Sequence, residues 1–530
     1  MRAPVRPGSL AAVPDNGRSL AALLRPLLSR LREQPHVGAA ALALLFTYAF
    51  FVGPPAWNQN SRLALTRALV EQRAVTIDDW QVTTGDKSFR DGHFHSDKAP
   101  GVSLLSTLPY ALFVLERRLT GGDLPDVRVA PLDPTLVAAD ALPEPEDRAP
   151  GDALVYNPAQ LTALWLCRMF AVSLPTLLAG GLLYLLILGD APMPTQAQRR
   201  RAMAVSLLWL LATPALGYGC ALYGHQLTAA LLISSVALVV LTAPTLARDP
   251  SPRAERGLGL LVGGLLGWAV LAEYTAAVPV AMIVAWIAWR RGWRLALWTA
   301  VGGLPWALLL AGYHQWAFGG PLKTGYDFVY LPEFAEGMAV AYGIGRPDPA
   351  VAVQLLFGSY RGLFYLSPVL LLAAWGLATR KRAADADSDP LASLRGGDLV
   401  LAAGIFAWYL GLNSAYYMWD GGASLGPRHM VPALPFLALG LAVAWDRLPW
   451  ATLVLGALSC AHMVLITAAG PEAPGYGNPI WAYALPELFA ADQPGTATTL
   501  GRLLGLPGPL SLLPLGLLWW LLWPFGSKTP

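Results

Sequence analysis

The sequence predicts an all-α, polytopic membrane protein with about twelve transmembrane helices and a large first outer loop that carries interfacial helices. Three observations lead there. The 530 residues are 55% hydrophobic and 13% charged, whereas soluble domains run at roughly 45–50% apolar and about 25% charged. Half the usual charge does not cover the surface of a water-soluble chain this long. That excludes an ordinary cytosolic enzyme, a disordered chain and a nucleic-acid binder. Apolar runs near span length recur along the chain, and lysine and arginine fall unequally on the two sets of loops between them. The net charge of +3 points to no partner. Cys167, Cys220 and Cys460 lie far apart in apolar runs and form no disulfide framework or metal cluster in the sequence.

Residues 1–35 make a basic N-terminal segment with no apolar signal core. Leu20, Leu23, Leu24, Leu27, Leu28 and Leu31 recur at helical spacing, with Arg18, Arg25, Arg30 and Arg32 between them. An amphipathic helix on a membrane surface follows, with a solvated tail as the alternative. Candidate spans lie near 36–55, 161–188, 202–219, 222–243, 257–273, 275–289, 295–314, 362–378, 398–412, 430–445, 449–468 and 508–523. The stretch 101–115 is also apolar, but as a helix it is only about 22 Å long and contains Pro109.

One set of short loops carries fourteen cations: Arg199, Arg200, Arg201, Arg248, Arg253, Arg256, Arg290, Arg291, Arg294, Arg380, Lys381, Arg382, Arg395 and Arg447. The opposite set carries five: Lys323, Arg346, Arg361, Arg428 and Arg502. The first set is therefore cytoplasmic, and both chain ends fall with it. A spanning 101–115 would reverse every later loop, so parity lays this stretch in the outer leaflet. The expected layout is a cytoplasmic segment 1–35 and a transmembrane unit 36–523, followed by a cytoplasmic tail 524–530. Its periplasmic loops lie near 56–160, 315–361, 413–430 and 469–508.

The first of these loops holds the unusual chemistry. Asn60 is an expected N-cap, and Leu65, Ala68 and Leu69 form a narrow apolar stripe with Arg62, Arg67 and Glu71 on the polar side. A dense polar patch follows, with Asp78, Asp79, Asp86, Asp91 and Asp97 among Lys87, Arg90, His93, His95 and Lys98. Carboxylates and a lysine between two membrane-hugging helices sit where protonation is readily tuned. A plain solvated loop is the competing reading. His93 and His95 alternate with Asp91 and Asp97, which makes a divalent metal a candidate cofactor.

Arg62 to Arg73, Asp79-Trp80 and His95-Ser96-Asp97-Lys98-Ala99-Pro100 together resemble the first periplasmic loop of GT-C glycosyltransferases. That superfamily includes the bacterial aminoarabinose-to-lipid-A transferases and the protein O-mannosyltransferases. Arg168, Glu273-Tyr274-Thr275, Trp419-Asp420-Gly421-Gly422 and Gly426-Pro427-Arg428 fit the same pattern. The resemblance implies a multi-pass enzyme of the bacterial inner (plasma) membrane. It would transfer a sugar, with inversion, from a polyprenyl-phosphate-linked donor to a lipid, glycan or protein acceptor at the periplasmic face. Its partners would be that donor, the acceptor and membrane lipid, with no nucleic acid. The family places an acidic pair directly after the first span, where this chain has Asn58-Gln59-Asn60. The catalytic base is then expected at Asp78 or Asp79.

Phosphate is already a good leaving group, so one carboxylate acting as general base on the acceptor suffices. Cations must hold the phosphate as charge builds on it. Lys98 and Arg428 are the first candidates and Arg168 the next, with snorkelling or end-of-span anchoring as the alternative for the arginines. Asp97 is a sugar or metal ligand or else an N-cap. His225 is a ligand candidate or a satisfied core histidine. Glu273 is a substrate or metal candidate or a boundary carboxylate facing water. From other classes, a multi-span transporter or flippase of lipid-linked sugars is the alternative function. Against it stand the short loop after the sixth span and the absence of ionisable residues at mid-span. A non-catalytic assembly partner would leave the aspartate–lysine patch unexplained.

Overall fold

The computed structural model describes residues 19–53, 55–131, 152–190, 193–380, 389–470, 472–474, 477–490 and 497–522. Residues 1–18, part of the first loop at 132–151 and the expected tail 524–530 lie outside the described residues.

Long apolar runs satisfy their own peptide groups by folding as helices, and the chain is predominantly helical. Among the described residues six helices are long and apolar enough to cross a membrane: Pro158–Leu188, Gly224–Arg248, Pro252–Ala272, Trp293–Phe318, Gly396–Ala415 and Pro449–Ala469. Arg428–Ala438 and Leu441–Arg447 meet at a 51° bend and together pass the same test. The runs near 36–55, 362–378 and 508–523 fold as the shorter apolar helices His36–Phe50, Val369–Thr379 and Gly508–Leu521. The run 202–219 is broken. Its helix Gln196–Leu211 stops before Thr213-Pro214 and a single turn, Ala215–Gly219, follows. Pro214 lacks an amide proton, and the Thr213 hydroxyl donates back to the Trp209 carbonyl at 2.6 Å. The run 275–289 forms the 15-residue helix Ala277–Arg291.

Glycines set one close helix pair. A Cβ on Gly263 would lie 2.0 Å from the Thr299 carbonyl oxygen, and one on Gly302 would lie 2.4 Å from the Leu260 carbonyl oxygen. Pro252–Ala272 and Trp293–Phe318 therefore touch backbone to backbone. Gly263→Ala is expected to cost about 1–3 kcal/mol as overpacking, read as a lower thermal midpoint of the detergent-solubilised protein.

The N-terminal amphipathic helix spans Leu20–Arg32 and is capped by Ser19, whose hydroxyl accepts from the Ala22 amide at 3.3 Å. Leu23 and Leu27 are buried, while Leu28 is exposed. Part of the stripe expected to face lipid is thus covered by protein.

The first loop departs from expectation in instructive ways. Its helix runs Trp57–Arg67 with Ala56 as N-cap and closes in a π-helical turn, Ala68–Gln72. Asn60 is inside that helix. Its amide donates to the Thr83 carbonyl and the Tyr156 hydroxyl, both at 2.8 Å, so distant partners take the side chain expected to cap. Arg62 and Arg67 are buried rather than exposed. Arg67 lies 3.0 Å from Glu71, donates to the Gln160 side chain and the Pro125 carbonyl, and stacks over Trp80 at 4.7 Å. A charged face turned inward is tolerated because each guanidinium finds acceptors there.

Strands β1 (Lys87–Arg90) and β2 (His93–Ser96) pair antiparallel, with Lys87 opposite Ser96. Asp91 and Gly92 both take positive φ at the turn, 53° and 85°, as a tight two-residue hairpin requires. A second antiparallel pair is β3 (Val127–Pro131) with β4 (Asp152–Tyr156). The helix after Pro100 runs Gly101–Thr120, longer than the apolar stretch expected there. It starts against the end of Pro252–Ala272, where a Cβ on Gly101 would sit 2.5 Å from the Leu271 carbonyl carbon. That approach brings Asp97 and Lys98 next to Glu273.

Candidate functional site

A cavity of about 520 Å³ opens where the first loop meets the ends of several apolar helices. Lys98, Asp97, His225, Glu273 and Arg428 all line it. Five residues separated by up to 331 positions in sequence are thus brought to one place. Asp86, Arg62, Tyr223, His429 and Glu472 line it with them.

Lys98 is the centre of the charge arrangement. Its Nζ lies 3.2 Å from Asp86 Oδ2 and 3.2 Å from Asp97 Oδ2. Local chain geometry aims these groups. The Asp86 amide donates to the Thr84 hydroxyl at 3.0 Å, and Ser61 donates to the Asp86 carbonyl at 2.6 Å. Asp97 and Lys98 follow β2 at the start of the helix Gly101–Thr120. A Cβ on Gly325 would lie 2.5 Å from Asp97 Cα, so another loop presses on this corner. Burial pushes the Asp97 carboxyl up, only partly opposed by Lys98. Burial alone would lower Lys98, but the carboxylates of Asp86 and Asp97 outweigh it and raise its pKa.

Behind this pair, Arg62 holds the wall together. It donates to Asn58 Oδ1 at 3.0 Å, to the Ala99 carbonyl at 3.1 Å and to Glu273 Oε1 at 3.0 Å. Glu273 is therefore an ion-paired wall residue with its side chain 13% exposed, rather than a boundary carboxylate facing water. Burial raises its pKa, against the pull of Arg62, Lys98 and Arg428. His225 is 3.6 Å from the same oxygen, and its ring meets that of His429 edge-on at 5.2 Å. On the far side, Tyr223 donates to Glu472 Oε1 at 2.5 Å.

Several buried polar atoms at the cavity have no hydrogen-bond partner among the described residues: Arg428 Nε, Asp97 Oδ1 and His429 Nε2. Orphaned groups of both signs around one concavity are what a polar ligand would satisfy.

Glu472 gives a pH prediction. Burial pushes it up to about 7, above the usual carboxylate range near 4.3. Its folded form holds the proton more tightly than the unfolded chain does. Stability is then full in mild acid and falls as pH rises through about 7. Thermal midpoints recorded between acid and neutral pH are expected to decline, and the decline is expected to flatten in Glu472→Gln.

The remaining expected site residues lie elsewhere. Asp78 accepts from the Phe94 amide at 2.7 Å and sits 2.8 Å from His93 Nδ1, so it braces the hairpin. Asp79 accepts from Gln72 at 2.6 Å. Neither lines the cavity. Arg168 is fully buried and donates to the carbonyls of Tyr48, Cys220 and Phe51, which ties three chain segments together. Among the described residues no group of three or more His, Cys, Asp or Glu side chains is placed to hold a metal. His95 faces the Val75 carbonyl at 3.3 Å, apart from the exposed His93–Asp78 pair.

No protein-family model matches the chain, and no curated protein does. The chain is similar to the crystal structure of ArnT from Cupriavidus metallidurans in the apo state, at 17% identity and a TM-score of 0.43. That alignment covers 88% of this chain and 66% of the other, so the chain spans just under two thirds of its length. ArnT from the same organism bound to undecaprenyl phosphate aligns at 15% identity and a TM-score of 0.43, over 92% of this chain and 75% of that one.

Asp86, Arg62, Tyr223, His429 and Glu472 were not separable from their surroundings in the sequence. Asp86 is one of five aspartates in a polar loop, and Arg62 reads as the exposed face of an amphipathic turn. The usable signal for Glu472 is a single acid just after a span, in Gly470-Pro471-Glu472.

Proposed function

We propose that the chain is an integral membrane glycosyltransferase. It moves a sugar from a polyprenyl-phosphate-linked donor to a lipid, glycan or protein acceptor at the periplasmic face of a bacterial inner membrane. One observation carries this reading: Lys98 sits between Asp86 and Asp97 in a cavity that also holds Arg428 with an unpartnered Nε. His225, Glu273 and Arg428 all lie at ends of apolar helices. A phosphate at the membrane boundary can enter there while its prenyl chain stays in lipid.

In this reading Lys98 and Arg428 hold the donor phosphate. The bond between the sugar's anomeric carbon and the phosphate oxygen breaks, and the electron pair leaves with the phosphate. The acceptor oxygen attacks the opposite face, which inverts the anomeric centre, and its proton passes to Asp86. Asp86 is chosen over Asp78 and Asp79 because it lines the cavity and theirs are carboxylates engaged outside it. When Lys98 turns to phosphate, the Asp86 carboxylate it held at 3.2 Å is free to take the acceptor's proton. Asp97 positions Lys98, and the Arg62–Glu273 pair fixes the wall behind it. In this reading the bent pair, the three shorter apolar helices, Gln196–Leu211 and Ala277–Arg291 bring the six long helices to the twelve-span layout, with both ends cytoplasmic and the first loop outside.

The test is mass spectrometry of envelope glycolipids and glycoproteins from cells with and without the gene. An unmodified acceptor together with accumulated carrier-linked sugar supports the enzyme. Carrier-linked sugar trapped on the inner face would contradict it and indicate a flippase.

A further inference from the structure

A second cavity, about 390 Å³, adjoins the first and shares Tyr326, Val329 and Met338 with it. Ala341 and Tyr342, in the turn Ala341-Tyr342-Gly343, line this second cavity. Ala341 and Tyr342 both hold left-handed backbone, with φ of 49° and 55°, and Gly343 continues it at 75°. A tyrosine and an alanine in that region are strained, and such residues persist only where the surroundings over-determine them. Here they do. Gly337 and Gly343 both crowd the Tyr417 ring, where an added Cβ would come within 2.1 Å and 2.3 Å of it. The Tyr417 amide donates to the Gly343 carbonyl at 2.9 Å, and the Gly345 amide donates to the Ala415 carbonyl at 2.7 Å. The turn is thus pinned to the segment whose Tyr416 and Tyr417 line the first cavity.

Tyr342 lines the cavity and is 42% exposed. Its hydroxyl donates to both oxygens of Asp327, at 3.3 Å and 3.4 Å, contacts long enough for a ligand hydroxyl to replace. Asp327 itself is fixed by the Thr324 amide at 2.8 Å. An exposed aromatic face beside an anchored carboxylate suits a ring whose C–H bonds stack on the aromatic and whose hydroxyls donate to the acid. Lys323 Nζ lies 3.4 Å from the same carboxylate and the Thr324 hydroxyl 3.3 Å from it, so the acid's charge is already balanced and what a ligand finds there is an acceptor for neutral hydroxyls.

We infer that this second cavity binds the acceptor through an uncharged hydroxyl-bearing ring, a sugar residue, stacked on Tyr342 and hydrogen-bonded to Asp327. The inference rests on the glycosyl-transfer reading for its purpose, because it seats an acceptor hydroxyl across Tyr326 and Met338 from Lys98 and Asp86. It excludes a bare lipid or unmodified peptide as the group recognised here.

The test is saturation-transfer NMR of the purified protein in nanodiscs, with methyl glucopyranoside and methyl galactopyranoside as probes. Undecaprenyl phosphate binding is measured in parallel. Tyr342→Gly is the decisive variant, because glycine is at ease at φ 55° and the turn keeps its shape while losing its ring. The wild type is expected to bind at least one probe saturably, and Tyr342→Gly to bind it at least tenfold more weakly with an equal or higher thermal midpoint. Unchanged glycoside binding in Tyr342→Gly, or none in the wild type, overturns the subsite whatever the lipid does. Tyr342-dependent glycoside binding with no undecaprenyl phosphate binding supports the subsite and overturns the transferase reading instead.

Discussion

Lys98→Ala is expected to lower transfer from a polyprenyl-phosphate sugar by about 10²–10³-fold, the usual cost of removing one group aimed at developing charge. The leaving phosphate loses a cation, and Asp86 and Asp97, each 3.2 Å from Lys98 Nζ in the resting site, lose the group that sits between them. Measured against donor concentration, both KM and kcat are expected to suffer. Lys98→Arg keeps the charge but not the compact geometry, and is expected to recover only part of the loss. A Lys98→Ala protein with wild-type donor dependence would remove this lysine from the reaction.

Asp86→Asn is expected to lower turnover by about 10²–10⁴-fold, the range for loss of a general base, while the donor still binds. Asparagine keeps the size of the side chain and relieves rather than creates a charge imbalance near Asp97, so folding is expected to survive. The comparison that matters is with Asp78→Asn and Asp79→Asn. Those two carboxylates support the hairpin and its neighbouring turn from outside the cavity. They are expected to change stability more than the rate of transfer. If either one stops turnover and Asp86→Asn does not, the base lies in the hairpin support and the cavity assignment is wrong.

What the sequence reveals divides along the range of the interactions involved. Helix boundaries with local causes are legible. The Asp97-Lys98-Ala99-Pro100 run opens its helix at Gly101 because Pro100 at the N-cap has no amide proton to satisfy there. Apolar runs are legible as helices because each run carries its own pattern, although Thr213-Pro214 shortens one and a 51° bend divides another. The burial of Arg62 is not legible, because its partner Glu273 is 211 residues away. The same distance effect hides the cavity itself. Lys98 and Arg428 stand out as cations near expected span ends. Asp86 does not, because nothing within its own loop distinguishes it from Asp78 or Asp79. Only the fold, with Ser61 and Thr84 holding the Asp86 backbone, selects which aspartate meets the lysine.

The account depends most on the cavity accepting a phosphate that carries a prenyl chain. Native mass spectrometry of the purified protein with undecaprenyl phosphate and with undecaprenol measures this directly, because the two lipids differ only in the phosphate. Saturable binding of undecaprenyl phosphate alone, lost when Lys98→Ala and Arg428→Ala are combined, is the predicted result. Equal retention of both lipids, or undiminished binding by the doubly substituted protein, would contradict it.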